Sequence, residues 1–237
     1  VRWLIGFSTW LLEKVAVFLA HLGDRRDKRR RATNLEFVLR ASRIAKRVRD
    51  GDAVLDVGCG DGHLLSDIAM FRDVRPFGVE VSLDRYVFKE IPAARFDGRR
   101  LPFAAGSFDV TVCCYVLHHL SPEHAKALLG EMVRVTRRRI VLLEDSLPRF
   151  DWFYRLRNRC HRINAAALYG GESATYRPPN NEAMFLTHAE WRAFGGEIAG
   201  VSRVGIESLE DVTRWRHHTL IDLTVEPAAE RSLDDVA

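Results

Sequence analysis

Three short stretches of this sequence hold residue types at spacings that could do chemistry. The first is Asp56-Val57-Gly58-Cys59-Gly60-Asp61-Gly62, which lies between an apolar run, Ala53 to Val57, and a helical pattern starting near His63. Glycines at alternate positions let a backbone turn tightly and approach a ligand with no Cβ in the way. A helix start behind such a turn offers unpaired amides and a partial positive charge, which suits a carboxylate or phosphate. The turn therefore reads as a binding site on its own terms. It is not a dinucleotide fingerprint, because that pattern needs a glycine three residues after the second one, and His63 stands there.

The second stretch is Gly78-Val79-Glu80-Val81-Ser82. Glu80 falls 18 residues after Gly62, at the predicted end of a second strand. A carboxylate there can accept both hydroxyls of a ribose, and the competing reading is a solvated strand-end charge. The third is Asp97-Gly98-Arg99-Arg100-Leu101-Pro102-Phe103, followed by Gly106-Ser107-Phe108-Asp109. Beyond it the chain reads Cys114-Tyr115-Val116-Leu117-His118-His119-Leu120.

The GxGxG spacing led by Asp56 resembles motif I of the class I S-adenosylmethionine-dependent methyltransferases. The stretch from Asp97 closely resembles the D-x-x-x-LPF-x-x-x-x-FD segment of their small-molecule, methyltransferase type 11-like subfamily. The resemblance is specific over residues 54 to 120 and weak outside them. It implies that Asp56 organises the loop and approaches the methionine amino group, while Gly58, Cys59, Gly60 and Gly62 serve the rest of the methionine. It assigns Glu80 to the ribose and Asp97 to the adenine amino group, and counts Val81, Gly98 and Tyr115 among the cofactor-binding residues. Tyr115 and His118 are expected to face the reaction.

Methyl transfer is an in-line displacement at an activated carbon, so holding the acceptor close and in line supplies much of the rate. A base is needed only where the nucleophile must lose a proton. His118 is the candidate, since imidazole titrates near neutrality, although a packing histidine is the commoner outcome for such a residue. His119, Glu123 and His124 make a poor metal set, because Glu123 already serves the positive end of a helix. No metal is expected. Glu144 and Asp145 close a predicted fifth strand, where open α/β sheets place substrate-facing groups. Two solvated acids are an equally good reading.

The elements that must position these residues follow from periodicity. Short apolar runs at Ala53–Val57, Phe77–Val81, Ala94–Asp97, Asp109–Cys114 and Ile140–Leu143 alternate with helical stretches, which implies a parallel sheet covered on both faces. A helix from Pro122 to about Val135 carries Ser121 as N-cap and buries Leu128, Leu129, Met132 and Val133. A capped helix from Thr187 to Phe194 and strands over Ala199–Glu207 and Trp215–Val225 would complete the domain. The expected fold is α/β, Rossmann-like and doubly wound, with a mostly parallel seven-stranded sheet. It is expected to occupy residues 51–226, with a cover inserted at 146–186 and a frayed tail at 227–237.

Residues 1–50 precede that fold. Residues 2 to 22 read as one apolar helix, a basic link follows, and residues 35 to 49 form an amphipathic helix with Leu35, Val38, Leu39, Ile44 and Val48 inward. The link carries Arg25, Arg26, Lys28, Arg29, Arg30 and Arg31, a concentration of charge in a chain whose net is only +4. An apolar helix followed by cations suits an anionic membrane surface, and a cover helix on the domain or on a second subunit is an equal alternative. Glu13 and Lys14 count against a spanning helix, and the start does not read as a cleaved signal. A sequence beginning at Val1 leaves room for an upstream piece.

With 237 residues, 47% hydrophobic and 29% charged, the chain is long and apolar enough to bury a core without staples. Four cysteines, Cys59, Cys113, Cys114 and Cys160, show no CxxC spacing, which favours a reduced, cytoplasmic protein. The expected function is methyl transfer from S-adenosylmethionine to a small or lipid-like acceptor. The alternatives are an RNA methyltransferase using the basic segments, with nucleic acid the less favoured partner, and a non-catalytic scaffold. Arginines among the aromatics of 149–162 favour the former only weakly, since the same segment is simply amphipathic.

Overall fold

A computed structural model describes residues 38–145, 186–210 and 217–226. The expected helix over 2–22, the basic link, nearly all of the 146–186 cover and the tail lie outside the described residues. Seven strands form one sheet: β1 Ala53–Val57, β2 Arg75–Glu80, β3 Ala93–Arg95, β4 Phe108–Cys114, β5 Thr136–Asp145, β6 Val201–Glu210 and β7 His217–Val225. Their order is β3-β2-β1-β4-β5-β7-β6. The first five run parallel, while β7 is antiparallel to β5 and β6 is antiparallel to β7. The described helices are α1 over 38–45, α2 His63–Phe71, a 3-10 turn at Leu117–His119, α3 Pro122–Val135 and α4 His188–Gly196.

The chain builds outward from β1 to β3 and then returns to lay β4 on the other side of β1. That reversal leaves a crevice at the carboxyl ends of β1 and β4, the place where open α/β sheets take ligands. All five residues of β1 are buried, because helices cover both faces of the sheet there. Leu55 and Val57 join Leu128, Leu129, Met132 and Trp191 on one face, while Val54 joins Ala41, Ile44, Leu65 and Ile68 on the other.

Local signals explain the helices. Ser121 Oγ accepts from the His124 amide at 3.3 Å, Pro122 occupies the first turn, and the four residues expected inside are buried. Thr187 and Glu190 form a reciprocal capping box that starts α4. Helix α1 ends at residue 45, before the expected end at 49. Ile44 is buried on it, Val48 is buried beyond its end, and Val38 and Leu39 are only half-buried. Arg47 reaches from this segment to Asp222 at 3.1 Å and Glu207 at 2.7 Å, tying it to β7 and β6.

Strand β5 begins four residues before its expected start at Ile140. Helix α3 runs directly into it, and Thr136 Oγ1 at the junction meets both the Met132 carbonyl and Thr111 Oγ1, each at 2.6 Å. Arg137, Arg138 and Arg139 are carried in the strand because acids from other elements meet them: Asp109 at 3.2 Å, Asp52 at 2.5 Å and Asp222 at 2.6 Å. Strand β2 ends at Glu80 rather than Val81 and β3 ends at Arg95 rather than Asp97, so Val81 and Asp97 stand in loops above the strand ends. No helix among the described residues is long and apolar enough to cross a membrane.

Candidate functional site

The turn after β1 is held from below. The amides of Gly58 and Cys59 both donate to the Val79 carbonyl, at 2.8 and 3.1 Å, and the Gly62 amide donates to the Cys59 carbonyl at 2.9 Å. Gly58, Gly60 and Gly62 all have left-handed backbones, with φ of 78°, 56° and 89°. Two of them also lack room for a side chain. A Cβ on Gly58 would stand 2.4 Å from Val116 Cγ2, and one on Gly62 would stand 2.8 Å from Tyr86 Cε2. A Cβ on Gly60 would meet nothing within 4 Å, so this glycine borders open space.

Asp56, at the end of β1, is 1% exposed, and its Oδ1 has no hydrogen-bond partner among the described residues. Burial, reinforced by the nearby charges of Glu80 and Asp61, pushes its carboxyl up to about 8. A buried acid beside a second acid is a poor arrangement for an empty site and a good one for a ligand bearing positive charge. Glu80 closes the other side of the turn. Its Oε2 accepts from the Gly60 amide at 2.9 Å and its Oε1 from the Val81 amide at 2.8 Å. One carboxylate thus fastens the tip of the glycine turn to the end of β2 and keeps further lone pairs for a ligand.

Val81 is 44% exposed, and a Cβ on Gly98 would lie 3.5 Å from its Cγ1, so the two residues form a small apolar shelf beyond Glu80. Asp97 is exposed at the same rim. Its Oδ1 accepts from the amides of Arg99 and Arg100, both at 2.8 Å, which hold its carboxyl below the usual range. The rest of that stretch is structural. Glu131 Oε2 on α3 accepts from the Leu101 amide at 2.9 Å, and Arg134 donates to the carbonyls of Leu101 and Phe103. Phe103 packs edge-on against Phe77 and Phe108, and Asp109 accepts from the Ala53 amide at 2.9 Å.

The tail of β4 folds over the turn. Val116 is the residue that touches Gly58, and Tyr115 before it has the left-handed φ of 59° that an L-residue rarely adopts. His118 is 7% exposed, with Nδ1 2.5 Å from Glu144 Oε2. Glu144 Oε1 accepts from the amides of Val116 and Leu117 at 3.2 and 2.8 Å. Burial pulls His118 toward the neutral form, but the hydrogen bond to Glu144 and the charges of Glu144 and Asp145 outweigh it, so its proton is held above the ordinary histidine range.

The reading of Glu144 and Asp145 as two solvated acids is corrected here. Glu144 is fully buried and Asp145 is half-buried. Adjacent strand residues point to opposite faces, and β5 is flanked by β4 and β7. Asp145 Oδ1 lies 2.8 Å from His218 Nδ1 on β7. His218 also meets the Tyr115 ring edge-on at 5.3 Å between centroids, and the Arg40 guanidinium sits 4.6 Å from that ring's centroid. Sequence reading singled out neither His218 nor Arg40. Their only signal is polar character within apolar periodic segments, and that names no partner.

Burial raises the thiols of Cys59, Cys113 and Cys114 well above their usual range, which makes them poor nucleophiles. Among the described residues no three His, Cys, Asp or Glu side chains converge as a metal site.

Residues 54–139 match the family model described as a methyltransferase domain. The demethylmenaquinone methyltransferase of Beutenbergia cavernae is 34% identical over 151 residues, which cover 61% of this chain and 57% of the relative. The chain thus spans less than two thirds of that relative's length. A second relative of that name, from Mycolicibacterium vanbaalenii, is 28% identical over 188 residues, or 77% of this chain and 78% of its own. The solved structure of magnesium protoporphyrin IX methyltransferase from Synechocystis with bound SAH superposes with a TM-score of 0.55 at 19% identity, covering 94% of this chain and 95% of that one. With the glycine turn, its flanking acids and the seven-stranded sheet in place, residues 54–139 match a methyltransferase domain, and the chain shares the fold of a solved methyltransferase.

Proposed function

We propose that this protein transfers a methyl group from S-adenosylmethionine to a small or lipophilic acceptor. The observation that carries the reading is the buried, partnerless Oδ1 of Asp56 beside Glu80, under a glycine turn whose tip at Gly60 opens onto free space. The cofactor fits that donor set. Its amino group supplies the positive charge that Asp56 lacks, and its carboxylate suits the amides at the start of α2. In this reading Gly58, Cys59, Gly60 and Gly62 line the methionine end. Glu80 takes the ribose hydroxyls, Val81 and Gly98 form the shelf for the adenine, and Asp97 reaches its amino group.

When bound, the cofactor supplies a methyl carbon activated by positively charged sulfur. The chain's own residues bind and orient it, and the β4 tail from Tyr115 to His118 borders the side where an acceptor must stand. Two relatives named demethylmenaquinone methyltransferase, and a similar fold named for a porphyrin, support a small or lipophilic acceptor. Residues 1–31 would bring the enzyme to a membrane surface where such acceptors reside.

Isothermal titration with S-adenosylhomocysteine tests the cofactor assignment. Saturable 1:1 binding that Gly60→Arg abolishes is expected, and no binding by the wild-type chain would overturn the reading. Removing residues 1–31 is expected to leave that affinity unchanged and to reduce cosedimentation with anionic liposomes. Equal sedimentation of the shortened chain would end the membrane assignment.

A further inference from the structure

The two acids closing β5 point to opposite faces of the sheet, and each meets a histidine: Glu144 meets His118, and Asp145 meets His218. The Tyr115 ring stands near both imidazoles, 6.4 Å from His118 and 5.3 Å from His218. Glu144 is the more committed of the acids. It is fully buried, and its two oxygens hold the amides of Val116 and Leu117 and the imidazole Nδ1 together. Fixing a ring nitrogen and the two backbone amides just before that residue with one carboxylate leaves the imidazole a single tautomer and orientation. Val116, anchored by the same carboxylate, packs on Gly58 of the turn.

We propose that Glu144 is a positioning residue that directs Nε2 of His118 toward the methyl-donor side of the site, and that the acceptor is an X–H nucleophile whose proton this nitrogen removes. The inference rests on the cofactor assignment made above. In the step, the acceptor's X–H proton passes to Nε2 as the X lone pair forms its bond to the methyl carbon. The carbon–sulfur bond breaks with its electron pair going to sulfur, and the new imidazolium is balanced by Glu144. Among the described residues, the titratable groups around His118 are Glu144 and Asp145 on β5, Tyr115 at the end of β4 and His119 in its own turn. Both acids favour the protonated ring, so the base works above the ordinary histidine range.

The test follows His118 by long-range proton–nitrogen NMR in the full chain, saturated either with S-adenosylhomocysteine or with sinefungin, which carries an amine where the sulfonium group stands. Neutral His118 is expected to carry its hydrogen on Nδ1. Replacing the first ligand by the second is expected to lower its titration midpoint by half a pH unit or more. A unit charge about 8 Å away, at an effective dielectric of about 20, moves an imidazole by roughly one to two pH units. Glu144→Gln keeps an oxygen for the two amides, and is expected to move the hydrogen to Nε2 and lower the midpoint further. A histidine whose ring lies far from the methyl-donor side would not respond to the charge of the bound ligand. Binding of both ligands with an unchanged His118 midpoint, or an Nε2–H tautomer in the wild type, would overturn this proposal and leave the cofactor assignment standing. Failure of both ligands to bind would overturn the cofactor assignment and this proposal with it.

Discussion

The amide of Gly60 donates to Oε2 of Glu80 across 2.9 Å, so the residue at the open tip of the glycine turn is held by the acid that closes β2. Turn shape and acid position are therefore coupled. Glu80→Ala removes the acceptor for both Gly60 and Val81, and hydrogen bonds to a charged group are worth about 1.5–3 kcal/mol. A loss of roughly tenfold to hundredfold in S-adenosylhomocysteine affinity is expected from that range. Titration calorimetry measures it, and an affinity within twofold of wild type would rule out Glu80 as a ligand-side residue.

Gly58 and Gly60 should separate fold from binding. Both have positive φ, a backbone that costs an L-residue about 1–2 kcal/mol. Gly58→Ala adds a clash with Val116 at 2.4 Å, whereas Gly60→Ala points into open space. In urea denaturation Gly58→Ala is expected to lose roughly 2 kcal/mol or more, and Gly60→Ala about 1 kcal/mol. Equal losses would contradict the packing of the β4 tail on the turn.

Asp56 sets a pH dependence. Its folded carboxyl titrates at about 8, above its ordinary value of 3.8. The unfolded chain therefore gives up this proton first. The group's favourable contribution to folding is complete below about pH 4 and is lost as pH rises toward 8. Asp56→Asn is expected to stabilise the unliganded fold at pH 7 to 8, seen as a higher denaturation midpoint. A ligand amine drives ionisation of Asp56, so cofactor binding at pH 7 should release a proton. Calorimetry in buffers of different ionisation enthalpy detects that release, and Asp56→Asn should remove it. Identical heats in all buffers would exclude the assignment of Asp56 to the amino group.

Glu131 predicts the opposite pattern. It fastens the Leu101 amide and pairs with Arg134 at 2.7 Å, away from the crevice. Glu131→Ala is expected to cost about 1–3 kcal/mol of stability and to leave cofactor affinity within threefold. A selective loss of affinity with unchanged stability would place the Leu101–Phe103 segment in the binding site.

Local patterns were enough to read β1 from Ala53 to Val57 and α3 from Pro122 to about Val135, because an unbroken buried run and a Ser-Pro start act within a few positions. The glycine turn and the ordering of Asp56, Glu80 and Asp97 were legible for the same reason: each is a short motif at the end of a strand. Features built from distant segments were not. The expected strand began only at Ile140, and the three arginines before it are accommodated in β5 by Asp109, Asp52 and Asp222 from distant parts of the chain.

Glu144 and Asp145 show where the boundary falls. Sequence by itself determined that two acids end a strand, and alternation determined that they point opposite ways. Only the lateral order of strands, with β4 on one side of β5 and an antiparallel β7 on the other, decided that Glu144 would be buried against His118 and that Asp145 would meet His218. A carboxylate's burial and its partner are properties of the neighbours that sheet assembly brings to it, and no local propensity encodes which strand will lie alongside.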